Sequence, residues 1–338
     1  MELLKKLCSF TSPSGGEKKL SQFIIEEIKD YCESYKTDAL GNLIVFKKGA
    51  ATPKNKLMIA AHMDEVGFII TEILDQGLLR FAIIGGISGS VLSGHKVIFQ
   101  NDIIGAIIPS KATHLLEKEK RLETPDSDDL FIDIGASTKE EAEKLVSLGD
   151  KASFYPEWFE NEESVFSKAL DDRIGVYCLI KIIKGDIPFD TTFVFTVQEE
   201  VGLRGAAVAA YSVAPDMAIV IDATTASDLP EKQGSERVCL QGEGAVVSFM
   251  DKSTVYDSDL WHLIITKAKE NGISAQLKTK VAGGNDAGSV HKARGGIRTA
   301  AISAPTRYIH SGLSLVRKSD IKAITDLVTL LIGELCNL

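Results

Sequence analysis

The order of hydrophobic and polar positions divides the chain into short apolar runs and longer segments with helical spacing. Each run has five or six residues and is bounded by turn residues, which is typical of buried strands. The runs lie at residues 42–47, 57–61, 193–197, 217–221 and 298–303. Apolar positions at intervals of three and four predict helices at residues 17–32, 174–183, 205–211 and 258–271, and a C-terminal helix capped by Ser319. This alternation predicts an α/β fold with a mixed sheet flanked by helices.

The pattern changes in the middle of the chain, at residues 66–164. Short β-rich runs are separated there by glycine and charged turns, which is typical of a small barrel or sandwich. One helix is predicted inside this region, at 138–148, with Ser137 or Thr138 as its cap. We therefore predict a domain formed by residues 1–65 and 165–338, into which a β-rich domain is inserted at 66–164.

Composition limits the possible functions. The length of 338 residues favours two domains, and a net charge of −9 argues against a nucleic-acid partner, because phosphate binding needs a basic face. The five cysteines are scattered without any CxxC pair, which favours free thiols in a reducing compartment. The N-terminus lacks the apolar core of a signal peptide, and no stretch approaches the roughly 20 apolar residues of a membrane span. We expect a cytoplasmic protein that does not contact membranes.

Side chains that commonly bind metals follow three of the apolar runs at their carboxyl ends. They are His62, the adjacent Glu199 and Glu200, and Asp222. Asp64 lies two residues after His62, at the spacing of a carboxylate that orients a ligating imidazole. Adjacent carboxylates at a sheet edge repel each other unless a cation or a raised pKa relieves them. Each residue alone is compatible with a surface or structural role, but their recurrence at strand ends favours one shared site.

Two further candidate ligands lie near the other predicted elements. His310 follows the last predicted strand closely, and Asp171 opens a helix, where either Asp171 or its neighbour Asp172 is also placed to cap the helix. Two imidazoles and three carboxylates favour zinc, cobalt or manganese over calcium or magnesium. Five ligands suit two ions about 3.5–4 Å apart that share a bridging carboxylate. The second glutamate is then available as a general base, which predicts a dinuclear hydrolase.

Several motifs in the chain occur in the order known from one protein family. They are AHMDEVGF (61–68), ALDDRIG (169–175), VQEEVGLRGA (197–206), DAT (222–224), GGNDAG (283–288) and RYIHS (307–311). This set, which spans nearly the whole chain, resembles family forty-two of the metallopeptidases. That family includes the glutamyl, tetrahedral and deblocking aminopeptidases. The resemblance implies two divalent metal ions per subunit, zinc or cobalt and alternatively manganese.

The resemblance also implies how the ligands are shared between the ions. His62 and Asp222 would hold one ion, Glu200 and His310 would hold the other, and Asp171 would bridge them. Glu199 would then be the general base.

Other residues take supporting roles by the same resemblance. Asp64 would be the acid that supports His62, and the peptide bond between Asp171 and Asp172 would be cis. Three residues of the glycine-rich turn would lie beside the substrate: Gly283, Gly284 and Asn285. Asn285 stands where a threonine is common in the family, which affects the expected specificity and leaves the expected catalysis unchanged.

The family resemblance implies an aminopeptidase that removes N-terminal residues from short peptides. It further implies a barrel-like or PDZ-like insert that assembles the chain into dimers or into a hollow tetrahedral dodecamer. A related metallo-carboxypeptidase or N-deacylase is the alternative enzyme, although such relatives carry their extra domain between the glutamate pair and the last histidine. The non-enzymatic alternative is an assembly or binding protein that retains an inactive site.

Overall fold

A mixed sheet of eight strands lies at the centre of the computed structural model, which describes residues 1–111, 124, 126–230 and 236–338. The strands are β1 (Ser34–Thr37), β2 (Leu43–Lys47), β3 (Leu57–His62), β4 (Gly67–Ile73), β5 (Leu79–Ile84), β6 (Lys96–Phe99), β7 (Ile104–Pro109), β8 (Leu130–Asp133), β9 (Lys151–Phe154), β10 (Trp158–Glu160), β11 (Ser164–Ser167), β12 (Thr191–Thr196), β13 (Met217–Thr225), β14 (Ala245–Val247), β15 (Ala275–Leu277), β16 (Arg298–Thr306) and β17 (Ser314–Arg317). The helices are α1 (Glu2–Ser9), α2 (Lys18–Ile28), α3 (Lys139–Glu143), α4 (Leu170–Lys184), α5 (Arg204–Val213), α6 (Ser258–Glu270), α7 (Ala287–Val290) and α8 (Lys318–Leu335).

The strand order brings the carboxyl ends of four strands to one edge of the sheet. Within the described residues the order is β1-β2-β12-β3-β13-β16-β14-β15. Strand β3 is parallel to both β12 and β13, and β13 is parallel to β16. Strands β2 and β14 run antiparallel to β12 and β16, so the sheet is mixed, as predicted. Thr196 is paired with His62 and Ser303 with Asp222, which places the candidate ligands at the edge where open α/β sheets bind ligands.

Both faces of the central sheet are covered, which explains why its strands are continuous apolar runs. Successive side chains of a strand point to opposite faces. Ile59 accordingly belongs to the core that includes Ile174 of α4 and Leu327 of α8. Ala60 belongs to the core that includes Ala209 of α5 and Val290 of α7.

A separate closed barrel is formed by six strands in the order β4-β5-β8-β7-β6-β9. It has its own core, in which Phe68, Phe99, Phe154 and Ile132 are buried. Closure leaves these strands without unpaired edges. Strand β10 lies outside the barrel, because β10, β11 and β17 form a three-stranded sheet.

The predicted mixed α/β fold and the barrel-like sheet are confirmed, whereas several element boundaries were wrong. Strand β13 continues through Thr225, so Asp222 lies within the strand and not after it. Ser319 lies inside α8, which begins at Lys318 and has no side-chain cap. The predicted cap of α3 is Thr138, whose hydroxyl accepts the backbone N–H of Glu141. No helix in the part of the chain that the structure describes is both long enough and apolar enough to cross a membrane.

Candidate metal centre

His62 is the last residue of β3, and its buried ring faces two carboxylates that come from other elements. Its Nε2 lies 3.2 Å from Oδ1 of Asp171, at the start of α4, and 3.7 Å from Oδ1 of Asp222, in β13. Its Nδ1 lies 3.1 Å from the carbonyl oxygen of Asp64, which fixes the plane of the ring. The first imidazole thus shares one small space with two carboxylate oxygens.

His310 faces the opposite oxygen of the same aspartate. Its Nε2 lies 3.4 Å from Oδ2 of Asp171 and 3.4 Å from Oε2 of Glu200, which follows β12. Its Nδ1 lies 2.8 Å from the carbonyl oxygen of Gly86, in the loop after β5. Asp171 therefore presents one oxygen to each histidine, which is the arrangement that a bridging ligand requires.

The structure adds a residue that the sequence suggested only as a helix cap. Asp172 is fully buried and forms a potential ligand group with His62 and Asp222, while a second group contains His62, Asp171 and Glu200. Its Oδ1 accepts the backbone N–H of Gly175 at 2.9 Å, as a cap would, and its Oδ2 has no hydrogen-bond partner within the described residues. The peptide bond between Asp171 and Asp172 is cis, as expected. Asp172 thus supplies an unpaired carboxylate oxygen beside the centre.

Asp64 holds the turn that carries the two glutamates. Its Oδ1 accepts the backbone N–H of Glu199 at 3.0 Å, and its Oδ2 accepts that of Glu200 at 3.1 Å and the hydroxyl of Ser14 at 2.6 Å. Its carboxylate is also 3.5 Å from Nδ1 of His62. Burial raises the pKa of Asp64, but the hydrogen bond and the charge of His62, together with the hydrogen bonds from Ser14 and Glu199, lower it below its usual value. Asp64 is therefore an anionic anchor for the glutamate turn as well as a neighbour of His62.

The pKa values of the surrounding acids reflect an excess of negative charge. Burial, followed by the charges of Asp222, Asp286 and Glu200, raises the pKa of Glu199 well above its usual range, despite the opposing charge of His62. Burial and the charge of Asp171 raise the pKa of Glu200 to about 8. Burial raises that of Asp222 to about 6. Such a crowded set of acids, with two imidazoles, suits cations held by nitrogen and oxygen ligands.

The centre opens into a cavity of about 210 Å³ that extends to the glycine-rich turn. The residues predicted to lie beside the substrate line this cavity together with Glu199 and Glu200: Gly283, Gly284 and Asn285. Asn285 is fixed, because its amide donates to the hydroxyl of Tyr256 at 3.1 Å and its Oδ1 accepts the backbone N–H of Ala287 at 2.9 Å. Lys278 also lines the cavity, although no pattern in the sequence marks it as a site residue.

The chain is similar to known proteins over nearly its whole length. Residues 41–327 match the family model described as M42 glutamyl aminopeptidase. A putative aminopeptidase of Acetivibrio thermocellus is 42% identical over 99% of this chain and 98% of its own length. A lysyl aminopeptidase of Pyrococcus furiosus is 32% identical over 99% of this chain and 97% of its own. The solved structure of the Pyrococcus horikoshii TET1 peptidase, which assembles into a tetrahedron or a large octahedral shell, superimposes with a TM-score of 0.86 at 35% identity and covers 98% of both chains.

Proposed function

The chain belongs to the M42 glutamyl aminopeptidase family and is an aminopeptidase, and we propose that it removes N-terminal residues from short peptides with the help of two divalent metal ions. The observation that carries the two-ion proposal is the position of Asp171. Its Oδ1 faces His62 at 3.2 Å and its Oδ2 faces His310 at 3.4 Å. A carboxylate between two imidazoles in this way has the geometry of a bridge.

The ligands divide into two sets around that bridge. His62 and Asp222, which lie 3.7 Å apart, would hold one ion, and Glu200 and His310, which lie 3.4 Å apart, would hold the other, with Asp171 as a ligand shared by the two sets. The mixed nitrogen and oxygen donors favour zinc or cobalt, with manganese as an alternative. When bound, such ions polarise the scissile carbonyl, lower the pKa of water and anchor the free α-amino group of the peptide.

Glu199 is the general base in this proposal. It lines the cavity, its backbone is fixed by Asp64, and it makes no ion pair within the described residues, unlike Glu200. A carboxylate in that position accepts a proton from the attacking water and returns it to the leaving amine.

The position of the barrel favours an aminopeptidase over a metallo-carboxypeptidase or an N-deacylase. Strands β4–β9 lie between His62 and Asp171 in the chain, whereas those relatives carry their extra domain after the glutamate pair. An inactive assembly protein is disfavoured, because the candidate ligands and Glu199 are all brought together around one cavity.

We further propose that residues 1–65 and 165–338 form the catalytic domain and that 66–164 form an assembly domain of a homo-oligomer, from dimer to tetrahedral dodecamer. The barrel region exposes apolar side chains that a second subunit can cover, namely Ile104, Leu145 and Leu148. The Pyrococcus horikoshii relative can assemble into a tetrahedron or a large octahedral shell. Multi-angle light scattering tests this assignment, since a strictly monomeric and fully active enzyme contradicts it. Free cysteines support a cytoplasmic location.

A panel of aminoacyl-anilides tests the activity itself. The enzyme is stripped of metal, assayed, and assayed again after addition of zinc, cobalt or manganese. We expect no hydrolysis without metal, recovery on addition, and no hydrolysis of N-acetylated substrates. Cleavage of blocked substrates at equal rates favours a deacylase or an endopeptidase, and activity without metal contradicts the proposal.

A further inference from the structure

The two histidines of the candidate metal centre are held in different ways. His62 ends β3 within the central sheet, its side chain is 3% exposed, and the carbonyl oxygen that fixes its ring belongs to Asp64 of the same segment. His310 lies in the loop between β16 and β17, its side chain is 33% exposed, and its backbone φ is 58°. Residues other than glycine rarely adopt this left-handed conformation, and they keep it only where surrounding contacts impose it. The position of His310 therefore depends on what its loop contacts.

The contact that orients the ring of His310 comes from the barrel. Its Nδ1 lies 2.8 Å from the carbonyl oxygen of Gly86, in the loop after β5. A carbonyl oxygen only accepts hydrogen bonds, so the proton of the neutral imidazole lies on Nδ1 and the lone pair of Nε2 is left for an ion. Nε2 is the atom that faces Asp171 and Glu200, at 3.4 Å from each. The barrel thus sets both the orientation and the tautomer of this ring.

The same barrel loop packs against Glu200, the other ligand of this set. Gly85 has a φ of 82°, and a Cβ at its position would lie 2.8 Å from Cγ1 of Val66 and 3.3 Å from Cβ of Glu200. The loop therefore passes Glu200 so closely that a glycine is required. Two residues of the barrel core also line one narrow cavity with three members of the metal centre: Val66 and Phe154 with Asp171, Glu200 and His310.

A third contact of the barrel lies two residues after His310. The ring of His95, which directly precedes β6, lies beside Gly312, where a Cβ would be 2.9 Å from Nδ1 of His95. That ring in turn packs edge-on against Phe154 of β9, with the ring centroids 5.2 Å apart. The barrel thus contacts the ligand set of Glu200 and His310 and its loop at three points.

We propose that the barrel is an integral part of the metal centre, in which Gly85, Gly86 and His95 are positioning residues for Glu200 and His310. The inference rests on the proposed function, in which a first ion is held at His62 and Asp222 and a second ion at Glu200 and His310. The affinity for the second ion then depends on the loops of the barrel. The affinity for the first ion depends on residues of the catalytic domain.

The test introduces the same change at two glycines of the barrel. Gly85 follows β5, and Gly77, with a φ of 78°, precedes it; a Cβ at Gly77 would lie 2.4 Å from the carbonyl oxygen of Ala136. Gly85→Ala and Gly77→Ala therefore impose similar strain at opposite ends of β5, but only the first lies against a metal ligand. Calorimetric titration of the metal-free enzymes with cobalt measures the affinity for each ion. His310→Ala identifies the binding step that belongs to the second ion.

We expect Gly85→Ala to bind the second ion about 10–100-fold more weakly than wild type, the range for the loss of a contact that orients a metal ligand, and to bind the first ion unchanged. Gly77→Ala is expected to bind both ions with wild-type affinity. Both glycine variants lose stability in a denaturant titration, which verifies that each introduces strain. A high cobalt concentration restores turnover in Gly85→Ala, whose ligands are displaced but present, and does not restore it in His310→Ala.

The outcomes separate this inference from the proposed function. Wild-type affinity for both ions in Gly85→Ala overturns the inference, and so does an equal weakening of both ions in Gly85→Ala and Gly77→Ala, because the barrel would then act only through overall stability. Should Gly85→Ala fail to fold, His95→Ala decides the question, since removal of one ring introduces no backbone strain. A selective weakening of the second ion in His95→Ala supports the inference, and an unchanged affinity overturns it. A wild-type enzyme that binds one cobalt ion per subunit contradicts the two-ion proposal and this inference together.

Discussion

Two buried groups of charged side chains lie next to each other at the carboxyl end of β3, and they differ in whether they contain their own counterions. The acid cluster is the candidate metal centre, with five carboxylates and two imidazoles. Its members are His62, Asp171, Asp172, Glu199, Glu200, Asp222 and His310. The ion-pair cluster consists of Glu65, Lys168 and Arg173, each at most 2% exposed.

The ion-pair cluster contains its own counterion, because the carboxylate of Glu65 contacts both of its cations. Lys168 contacts both carboxylate oxygens of Glu65, at 2.8 and 2.9 Å, and donates to the hydroxyl of Ser153 in the barrel at 2.8 Å. Arg173 lies 3.5 Å from Glu65 and donates to the carbonyl oxygen of Met63, next to His62. This cluster joins α4, the end of β3 and the barrel, so it fixes the backbone on which the acid cluster is built.

The acid cluster, in contrast, contains no lysine or arginine that forms an ion pair with its carboxylates within the described residues. The oxygen Oδ2 of Asp172 has no partner there, and burial raises the pKa of Asp172 well above its usual range. Both clusters contain fully buried charged residues, Asp172 in one and Arg173 in the other, so burial alone does not distinguish a structural from a functional group of charges. The distinguishing property is the charge balance: a cluster that lacks cations is a site for them.

The largest effect is expected from the residue shared by the two ligand sets. Asp171→Asn removes the charge that faces both histidines, so metal content falls below two ions per subunit and activity falls to that of the metal-free enzyme. Elemental analysis of the purified variant measures its metal content, and an anilide assay measures its activity. Asp186→Asn is the control, because Asp186 is exposed and lies just beyond the end of α4. This variant is expected to retain normal metal content and activity. Full occupancy with normal turnover in Asp171→Asn would refute the bridge.

Glu199→Gln is expected to separate chemistry from metal binding. Turnover falls by about 10²–10⁴-fold, the contribution of a general base, while both ions remain bound. Glu200→Gln is the paired variant, and it loses metal as well as rate because it removes a ligand. Near-normal turnover of a metal-replete Glu199→Gln enzyme contradicts the assignment, as does an equal loss of metal in the two variants.

The comparison of the clusters also shows which features a sequence can predict. His62, Glu199 and Asp222 can be predicted as site residues because each lies at or near the end of an apolar run. The same local pattern therefore indicates both the strand and the candidate site residue. The pair of Glu65 and Lys168 has no such pattern, since 103 residues separate its members. Lys278 was missed because a lysine after a short strand is ordinarily a surface residue. The placement of Asp222 inside β13 depends on pairing with β16, which no local pattern reveals.

Removal of the anion from the ion-pair cluster is expected to destabilise the fold. Glu65→Gln leaves Lys168 and Arg173 buried without a counterion, which lowers the free energy of unfolding by about 3–5 kcal/mol. Denaturant titration measures this loss. The double variant Glu65→Gln with Lys168→Met removes one of the stranded cations and is expected to regain part of the stability. Equal stability of the single and double variants contradicts the account of Glu65 as the counterion of Lys168.

The smallest effect is expected from an ion pair of the same length at the surface. Glu157 and Lys96 are 2.7 Å apart, against 2.8 Å for Glu65 and Lys168, but their side chains are 41% and 57% exposed, against 3% and 1%. Glu157→Gln is therefore the counterpart of Glu65→Gln with the distance held constant and the burial changed. Water solvates the remaining lysine, and the loss of one exposed pair is screened by solvent and salt, so we expect an unfolding curve that coincides with that of wild type. Parallel denaturant titrations of the two variants at the same ionic strength make the comparison. A destabilisation of Glu157→Gln as large as that of Glu65→Gln would show that the distance between the charges, and not their removal from water, determines what each pair contributes.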